Sequence, residues 1–271
     1  MAAMRSHRWI VGVGIVCAGV GLAAQAPQPA NKAKSAPTAA DWAAIANLPD
    51  FTGVWEIPMG GGGRGARGAG AGRGVPARPS LTPEYAAKKR AYDERAAEDT
   101  DAANCLPPGM PGIMGQPYPM EFLLTPGQVT IVIEAYQQVR HIYTDGRSLP
   151  DDPDLKFHGT SVGHWDRDAL VVDTVGFSPL TEIDRGVPHS DQMRIHERFR
   201  LTDPETMSIE TTVTDPKALT MPYTSTRVLK RHRGWTIAEY ICEENNRNSL
   251  DASGKAGVNL STPAAAPSKK N

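Results

Sequence analysis

The sequence predicts an all-β protein: an antiparallel barrel or sandwich of about ten strands, with one surface helix near its N-terminus. Three observations predict this fold. Between residues 121 and 244, short segments alternate apolar and polar residues, the period of a strand buried on one face. Turn pairs such as Pro126-Gly127 and Asp145-Gly146 separate these segments at hairpin spacing. No helix-length segment lies between them, which argues against a parallel α/β sheet.

Ten strands are expected. The first begins at Leu48, before the helix, and nine more come after the helix. The predicted strands are 48–57, 121–125, 128–137, 139–144, 160–165, 169–177, 193–202, 207–214, 225–232 and 236–244.

The helix is expected over residues 82–98. Thr82 is a suitable N-cap, Pro83 suits the first helical position, and Glu84 lies near the positive end of the helix dipole. Few apolar residues follow, so the helix is predicted to lie on the surface.

The N-terminal segment has the features of an export signal. Arg5 and Arg8 precede a short apolar stretch, too short and too rich in glycine for a stable membrane span, and Ala24-Gln25-Ala26 resembles a cleavage site. A lipoprotein anchor at Cys17 is the less favoured alternative, because the preceding residues do not fit its usual pattern. We therefore expect a periplasmic or secreted protein with the following organisation: signal peptide 1–26, flexible N-terminus 27–47, one domain 48–248 and a disordered tail 249–271.

The expected export bears on the oxidation state of the cysteines. Cys17 leaves with the signal, and Cys105 and Cys242 remain in an oxidising compartment, where a disulfide between them is favoured. Two separate buried thiols are the alternative.

The charges nearly cancel, with 29 basic and 30 acidic residues. Removal of Arg5 and Arg8 leaves 27 basic residues, a net charge of −3. This balance does not favour nucleic acid or an anionic membrane as a partner.

A Gly/Arg-rich insertion, 59–79, interrupts the domain before the helix. A segment of this composition can bind nucleic acid, but a disordered insertion is the favoured interpretation for an exported protein. A phosphate loop is excluded, because no Gly-Lys-Ser/Thr follows the glycines.

Several longer motifs occur together. They are Cys-Leu-Pro-Pro-Gly-Met-Pro from Cys105, Tyr-Pro-Met-Glu-Phe-Leu from Tyr118, Trp-Asp-Arg-Asp-Ala-Leu-Val-Val-Asp-Thr-Val-Gly-Phe from Trp165, Pro-His-Ser-Asp from Pro188, and Cys-Glu-Glu-Asn-Asn-Arg from Cys242. On these motifs the chain resembles, over residues 48–248, a broad group of uncharacterised exported bacterial proteins, a likeness that implies no particular activity. Gly53-Val54-Trp55 is also similar to the opening of lipocalin-type barrels, which implies a cup that holds one small apolar ligand.

Carboxylates on apolar strand faces are the main site candidates. Glu197 alternates with Ile195, Phe199 and Leu201, so its side chain is expected on the dry face, where an ionised carboxylate is costly unless it is paired. Burial raises a carboxyl pKa and suits it to acid–base chemistry. An internal ion pair with an arginine such as Arg140 or Arg227 is the structural alternative. Asp173, Glu134 and Glu239 occupy similar positions.

The loop 181–191 is the second candidate, because it concentrates polar residues between two strands. His189 in this loop suits proton transfer. Ser190 beside it does not form a catalytic triad, since no nucleophile elbow is present. A solvated loop with local side-chain caps is the alternative.

No cofactor or metal is expected. Four histidines occur between residues 158 and 196, but none has the spacing of a known metal motif, and the aspartates from Asp151 lack a calcium-loop template.

The sequence thus predicts an exported protein that binds a small, partly apolar molecule inside a barrel. If it is an enzyme, Glu197 and His189 are the expected acid–base pair, with Asp173 orienting them, in a lyase, isomerase or hydratase reaction. The alternatives are a non-catalytic carrier and an envelope module that binds another protein. The predicted substrate-binding residues are Arg140, as an anion binder, with Tyr143, Trp165, Glu134 and Glu239.

Overall fold

The computed structural model describes residues 36–58, 78–95 and 105–242, with two further pairs of residues, 249–250 and 256–257. The described elements belong to a compact unit that begins at Pro37. The predicted signal peptide, the Gly/Arg-rich insertion up to residue 77 and most of the tail lie outside the described residues.

Nine strands close into a barrel, which confirms the predicted all-β fold. Neighbouring strands follow the order β1-β11-β10-β9-β6-β5-β4-β3-β2, and β2 pairs with β1 to complete the circle. Two short pairs lie outside it, β7 with β8 and β12 with β13. The strands are β1 (Gly53–Glu56), β2 (Met120–Thr125), β3 (Gln128–Ile133), β4 (Gln138–Tyr143), β5 (Thr160–Asp166), β6 (Ala169–Val175), β7 (Glu182–Asp184), β8 (Val187–Pro188), β9 (Arg194–Asp203), β10 (Thr206–Thr214), β11 (Tyr223–His232), β12 (Ser249–Leu250) and β13 (Ala256–Gly257).

One junction in the barrel is parallel. All other neighbouring strands of the barrel are antiparallel, whereas β4 and β5 run in the same direction and share only two residue pairs, Ile142 with Ser161 and Tyr143 with Val162. Parallel strands need a long crossover, which the chain supplies between Thr144 and Gly159. The wall of the barrel is therefore least complete at this junction.

Along the strands, the alternation of apolar and polar residues in the sequence matches the alternation of buried and more exposed side chains in the structure. In β3, every second residue from Val129 to Ile133 is buried, and in β9 the same holds from Ile195 to Phe199. The inward side chains are mostly large and apolar, and they fill the barrel with a continuous core. Members of that core with at most 1 % exposure include Trp55, Met120, Phe122, Ile131, Ile133, Ile142, Leu170, Val172, Phe199, Met207, Ile209 and Leu229.

Two helices lie outside the barrel. Helix α2 (Pro83–Arg95) begins at the predicted first helical residue, and Thr82 before it donates a hydrogen bond to the carbonyl of Lys217 at 2.8 Å. Helix α1 (Ala39–Ile45) was not predicted, because residues 27–47 were expected to be flexible. It forms because Thr38 and Asp41 make a reciprocal capping box at its start.

The predicted last strand, 236–244, does not form over its described residues. β11 ends at His232, and residues 235–240 have no regular structure. This segment is held instead by side chains: Glu134 accepts a hydrogen bond from the backbone of Ala238 at 2.9 Å, and Tyr240 packs against Tyr118 and Tyr136.

The predicted disulfide between Cys105 and Cys242 is confirmed, with the two Cα atoms 5.7 Å apart. It ties the segment after β11 to the loop before β2. The bond thereby anchors a piece of chain that no strand pairing holds.

Replacing both Cys105 and Cys242 with serine is expected to lower the free energy of unfolding by about 2–5 kcal/mol, because the bond joins residues 137 positions apart in sequence. Urea unfolding followed by circular dichroism measures this change. A reductant should destabilise the native chain by a similar amount and leave the serine variant unaffected. Equal stability of the two proteins under oxidising conditions would contradict the role given to the bond.

Candidate functional site

Glu197 and Arg140 form an ion pair inside the barrel. Glu197 on β9 is 0 % exposed and Arg140 on β4 is 1 % exposed. Arg140 Nη1 donates to Glu197 Oε1 at 3.1 Å, and Arg140 Nη2 donates to Glu197 Oε2. A bidentate pair of this kind satisfies both charges where no solvent reaches them.

Two hydroxyl groups on the intervening strands hold the guanidinium in place. Arg140 Nη2 lies 3.3 Å from Ser161 Oγ on β5 and 3.2 Å from Thr174 Oγ1 on β6, and the two hydroxyls are 2.9 Å apart. The Arg140 side chain therefore reaches from β4 to β9 across two strands. This network fixes the register of four neighbouring strands.

The pair is poorly placed for acid–base catalysis. A general base must lie within hydrogen-bond reach of the proton that it removes. Both oxygens of Glu197 already bind Arg140, and the carboxylate has no contact with solvent. Arg140, predicted to hold a substrate anion, holds Glu197 instead, so the two residues form the internal ion pair that was the structural alternative.

His189 is fixed by its own loop. Its Nδ1 lies 2.7 Å from the carbonyl oxygen of Ser190, and its Nε2 lies 2.9 Å from both the carbonyl oxygen of Ser178 and the hydroxyl of Thr181. Asp215 holds the same loop, because it accepts hydrogen bonds from the backbone and the hydroxyl of Ser190, both at 2.6 Å. Both ring nitrogens are thus engaged, and none of these contacts involves Glu197.

Asp173 lies on the outer face of the barrel, which corrects the expectation that it lines the interior with Glu197. Its carboxylate is 2.8 Å from His196 Nδ1, and about half of each side chain is exposed. The alternation misled because β6 carries valines on both faces: Val172 points inward, whereas Val171 and Val175 flank Asp173 outside.

The remaining predicted substrate-binding residues are dispersed. Glu134 caps the loop segment at Ala238, and Glu239 is exposed in that segment rather than on a strand face. Trp165 is half-buried and packs against Phe51 at 5.2 Å between ring centroids. Tyr143 stacks with the guanidinium of Arg147, 3.7 Å from its ring centroid, and is the one member of this set that lines the cleft at the parallel junction.

That cleft opens beside the junction of β4 and β5 and has a volume of about 280 Å³. One wall is the edge of β4, and the other is the end of the crossover together with the start of β5. The lining residues are Gln138, Val139, His141, Tyr143, Lys156, Phe157, His158, Gly159, Thr160 and Ser161.

The crossover wall of the cleft is held firmly. Lys156 exchanges backbone hydrogen bonds with Gly176 and Ser178 at the end of β6, at 3.0 and 2.9 Å. Gly159 adopts a φ of +65°, and a Cβ there would lie 2.6 Å from the carbonyl oxygen of Val175, so glycine is needed for the turn into β5. The cleft is therefore preformed.

His158 bridges the two walls. Its Nδ1 lies 3.2 Å from the carbonyl oxygen of Val139, which has no strand partner on that side within the described residues. Burial, together with the nearby charge of Arg140, lowers the pKa of His158 to about 4. The imidazole is therefore neutral at physiological pH, with Nδ1 as the donor and a buried Nε2 that has no hydrogen-bond partner in the described part of the chain.

Sequence reasoning missed this cleft because one of its walls, with Lys156 and His158, is an irregular crossover that matches no motif. One signal was present: the connection from Thr144 to Gly159 is too long for a hairpin, and a long connection permits a parallel pairing.

Among the described residues, no group of three or more His, Cys, Asp or Glu side chains is placed to hold a metal ion. The described helices include none that is both long and apolar enough to cross a bilayer. No model of a known protein family matches the chain, and no curated protein matches it either.

Replacing Glu197 with glutamine is expected to cost about 3–5 kcal/mol of stability, because it leaves the Arg140 charge buried without a counter-ion. Replacing both residues with leucine should cost much less. The matched control is Asp168→Asn, which breaks the exposed pair with Arg200 and should cost less than about 1 kcal/mol. Urea unfolding measures all three variants, and a Glu197→Gln variant as stable as the control would contradict the structural role.

His158 is expected to make stability depend on pH between about 6.5 and 4. An unfolded histidine titrates near 6.5, whereas the folded pKa is about 4, so in this window the unfolded state binds the extra proton. The contribution is complete above pH 6.5 and is lost as the pH falls, by about 3 kcal/mol at most.

The comparison of native protein with His158→Gln, by urea unfolding at pH 7 and at pH 4.5, isolates this contribution from that of the carboxylates. The native protein should lose more stability on acidification than the variant does. An NMR titration should place the midpoint of the His158 ring near pH 4, and a midpoint near 6.5 would overturn the burial argument.

Proposed function

We propose that this is an exported protein that binds a small, partly apolar molecule carrying an anionic group, and that the ligand occupies the cleft at the β4–β5 junction. The observation that carries the proposal is the preformed cleft of about 280 Å³ at the β4–β5 junction, where the two strands share only two residue pairs. This volume is close to the lower end of the range for small-molecule sites, so a small aromatic ligand suits it.

The residues that line the cleft suit a ligand that is partly apolar and carries an anionic group. Val139, Tyr143 and Phe157 supply apolar and aromatic surface, and Val139 is 45 % exposed although it lies on a strand. Lys156 supplies a positive charge at the rim, where its only carboxylate neighbour among the described side chains, Asp154, is 4.0 Å away. An apolar wall with a few placed polar groups is typical of ligand sites.

His158 contributes to the wall of the cleft without adding a charge. Its imidazole is neutral at physiological pH because burial lowers its pKa to about 4, and its Nδ1–H is engaged by the carbonyl oxygen of Val139. The anionic group of the ligand is therefore assigned to Lys156, and the ring of the ligand to the aromatic side of the cleft.

Binding without catalysis is favoured over an acid–base reaction. Glu197 is paired and sealed from solvent, and His189 is saturated by its loop. A lyase, isomerase or hydratase activity stays a prediction that these surroundings do not support. The envelope-module alternative depended on residues 60–78, nearly all of which lie outside the described residues.

Export to the periplasm or the medium is part of the same proposal. It is supported by the signal-like N-terminus and by the Cys105–Cys242 disulfide, since such bonds persist in oxidising compartments. The resemblance to exported bacterial proteins points the same way.

Filling the cleft tests the proposal. Val139→Trp places an indole in the cleft and is expected to weaken binding of anilinonaphthalene sulfonate, an anionic aromatic fluorophore, by about tenfold or more, or about 1.4 kcal/mol. Fluorescence titration measures the affinity. The matched control is Leu123→Trp, another exposed apolar position on a strand, which lies outside the cleft and should leave the affinity unchanged.

Lys156→Met should weaken binding of the same fluorophore and leave that of an uncharged aromatic probe, N-phenylnaphthylamine, unchanged. Equal affinities for the native protein, Val139→Trp and Leu123→Trp would remove the cleft as the site.

A further inference from the structure

The interior of the barrel holds more arginine than carboxylate. Arg140 is paired with Glu197, and Arg231, 8 % exposed, is paired with Asp50 at 2.9 Å. Arg227 is the third arginine directed inward, because it lies opposite the buried Ile209 in the pairing of β10 with β11 and is in phase with Leu229. Within the described residues, no carboxylate lies within ion-pairing distance of Arg227.

The guanidinium of Arg227 has few hydrogen-bond partners among the described residues. One hydrogen bond, from Nη1 to Ser225 Oγ, is at the 3.5 Å limit. The guanidinium rests against Gly115, where a Cβ would lie 2.9 Å from Nε and 3.0 Å from Nη2. Glu197, Tyr223 and Asp184 act on it only through longer-range electrostatics, and burial lowers the pKa of Arg227.

A largely buried charge without a counter-ion is costly, whereas a guanidinium has five donors arranged to bind a carboxylate or phosphate in bidentate fashion. Arg227 is largely but not fully buried, and Gly115 beside it is exposed. Any side chain at residue 115 would crowd the guanidinium.

We propose that Arg227, with Ser225 beside it and Gly115 leaving the space, is a binding site for a small oxyanion, either a free phosphate or the carboxylate of an organic acid. This site is separate from the cleft, because β11 and β4 lie on opposite sides of the barrel with at least three strands between them. It therefore does not depend on the function proposed for the cleft.

The test uses the full mature chain with sodium phosphate or sodium acetate as the probe, at ionic strength balanced with sodium chloride. Each probe that binds should raise the thermal unfolding midpoint of the native protein by about 3 °C at ten times its dissociation constant. Arg227→Met should unfold at or above the native midpoint in chloride alone, because it removes an unpaired charge, and it should lose the response to the probe.

The matched control is Arg194→Met, which removes an exposed arginine on the outer face of β9 and should respond like the native protein. A response to phosphate alone assigns a phosphoryl ligand, a response to acetate alone assigns a carboxylate, and a response to both assigns a general oxyanion site. No response, or an equal response in Arg227→Met, overturns the proposal.

If Arg227→Met does not fold, two measurements replace it. Gly115→Ala keeps the arginine but displaces its guanidinium, and it should weaken probe binding at least about tenfold. In the native protein, the Arg227 Nε–Hε resonance should shift on titration with the probe. A resonance that does not move, or a Gly115→Ala protein that binds as the native one does, contradicts the proposal.

Discussion

The side chains of Arg140 and Glu197 meet inside a barrel whose other inward side chains are mainly apolar, and the two charges tolerate that environment only because they are paired. Removing either ion from water costs several kcal/mol, which the bidentate contact and the hydroxyls of Ser161 and Thr174 offset. The pair therefore demands one register of β4, β5, β6 and β9. It also lies inside the barrel, where a lumen for a guest molecule was expected.

The two proposed binding sites lie where strand pairing or charge pairing in the barrel is incomplete. The parallel pairing of β4 with β5 covers two residue pairs, so the edge of β4 is left to His158 and the crossover rather than to a strand. A different imperfection lies across the barrel, where Arg227 points inward without a carboxylate of its own among the described side chains. The first site results from the short pairing of β4 with β5, and the second results from an inward arginine that has no counter-ion among the described side chains.

Much of the fold was readable from local pattern. Alternation and turn pairs predicted all eight barrel strands after β1. Their bounds are close to those observed, except that the strand predicted over 128–137 ends at Ile133, before the short helical turn Ala135–Gln137. Glu197 was placed on the dry face by its neighbours Ile195 and Phe199. Tertiary pairings were not readable, since nothing local specifies that β1 pairs with β11 or that β6 pairs with β9. Asp173 was misplaced because valines cover both faces of β6, and the partner of Glu197 was identified only as one of two arginines.

The most direct test of this account locates a bound ligand by NMR. Intermolecular NOEs from bound anilinonaphthalene sulfonate to protein methyl groups should appear at Val139, at the rim of the cleft. NOEs to the methyl groups of Ile131 or Leu170 would place the ligand inside the barrel. That result would contradict the claim that the Arg140–Glu197 pair and the apolar core around it fill this part of the interior.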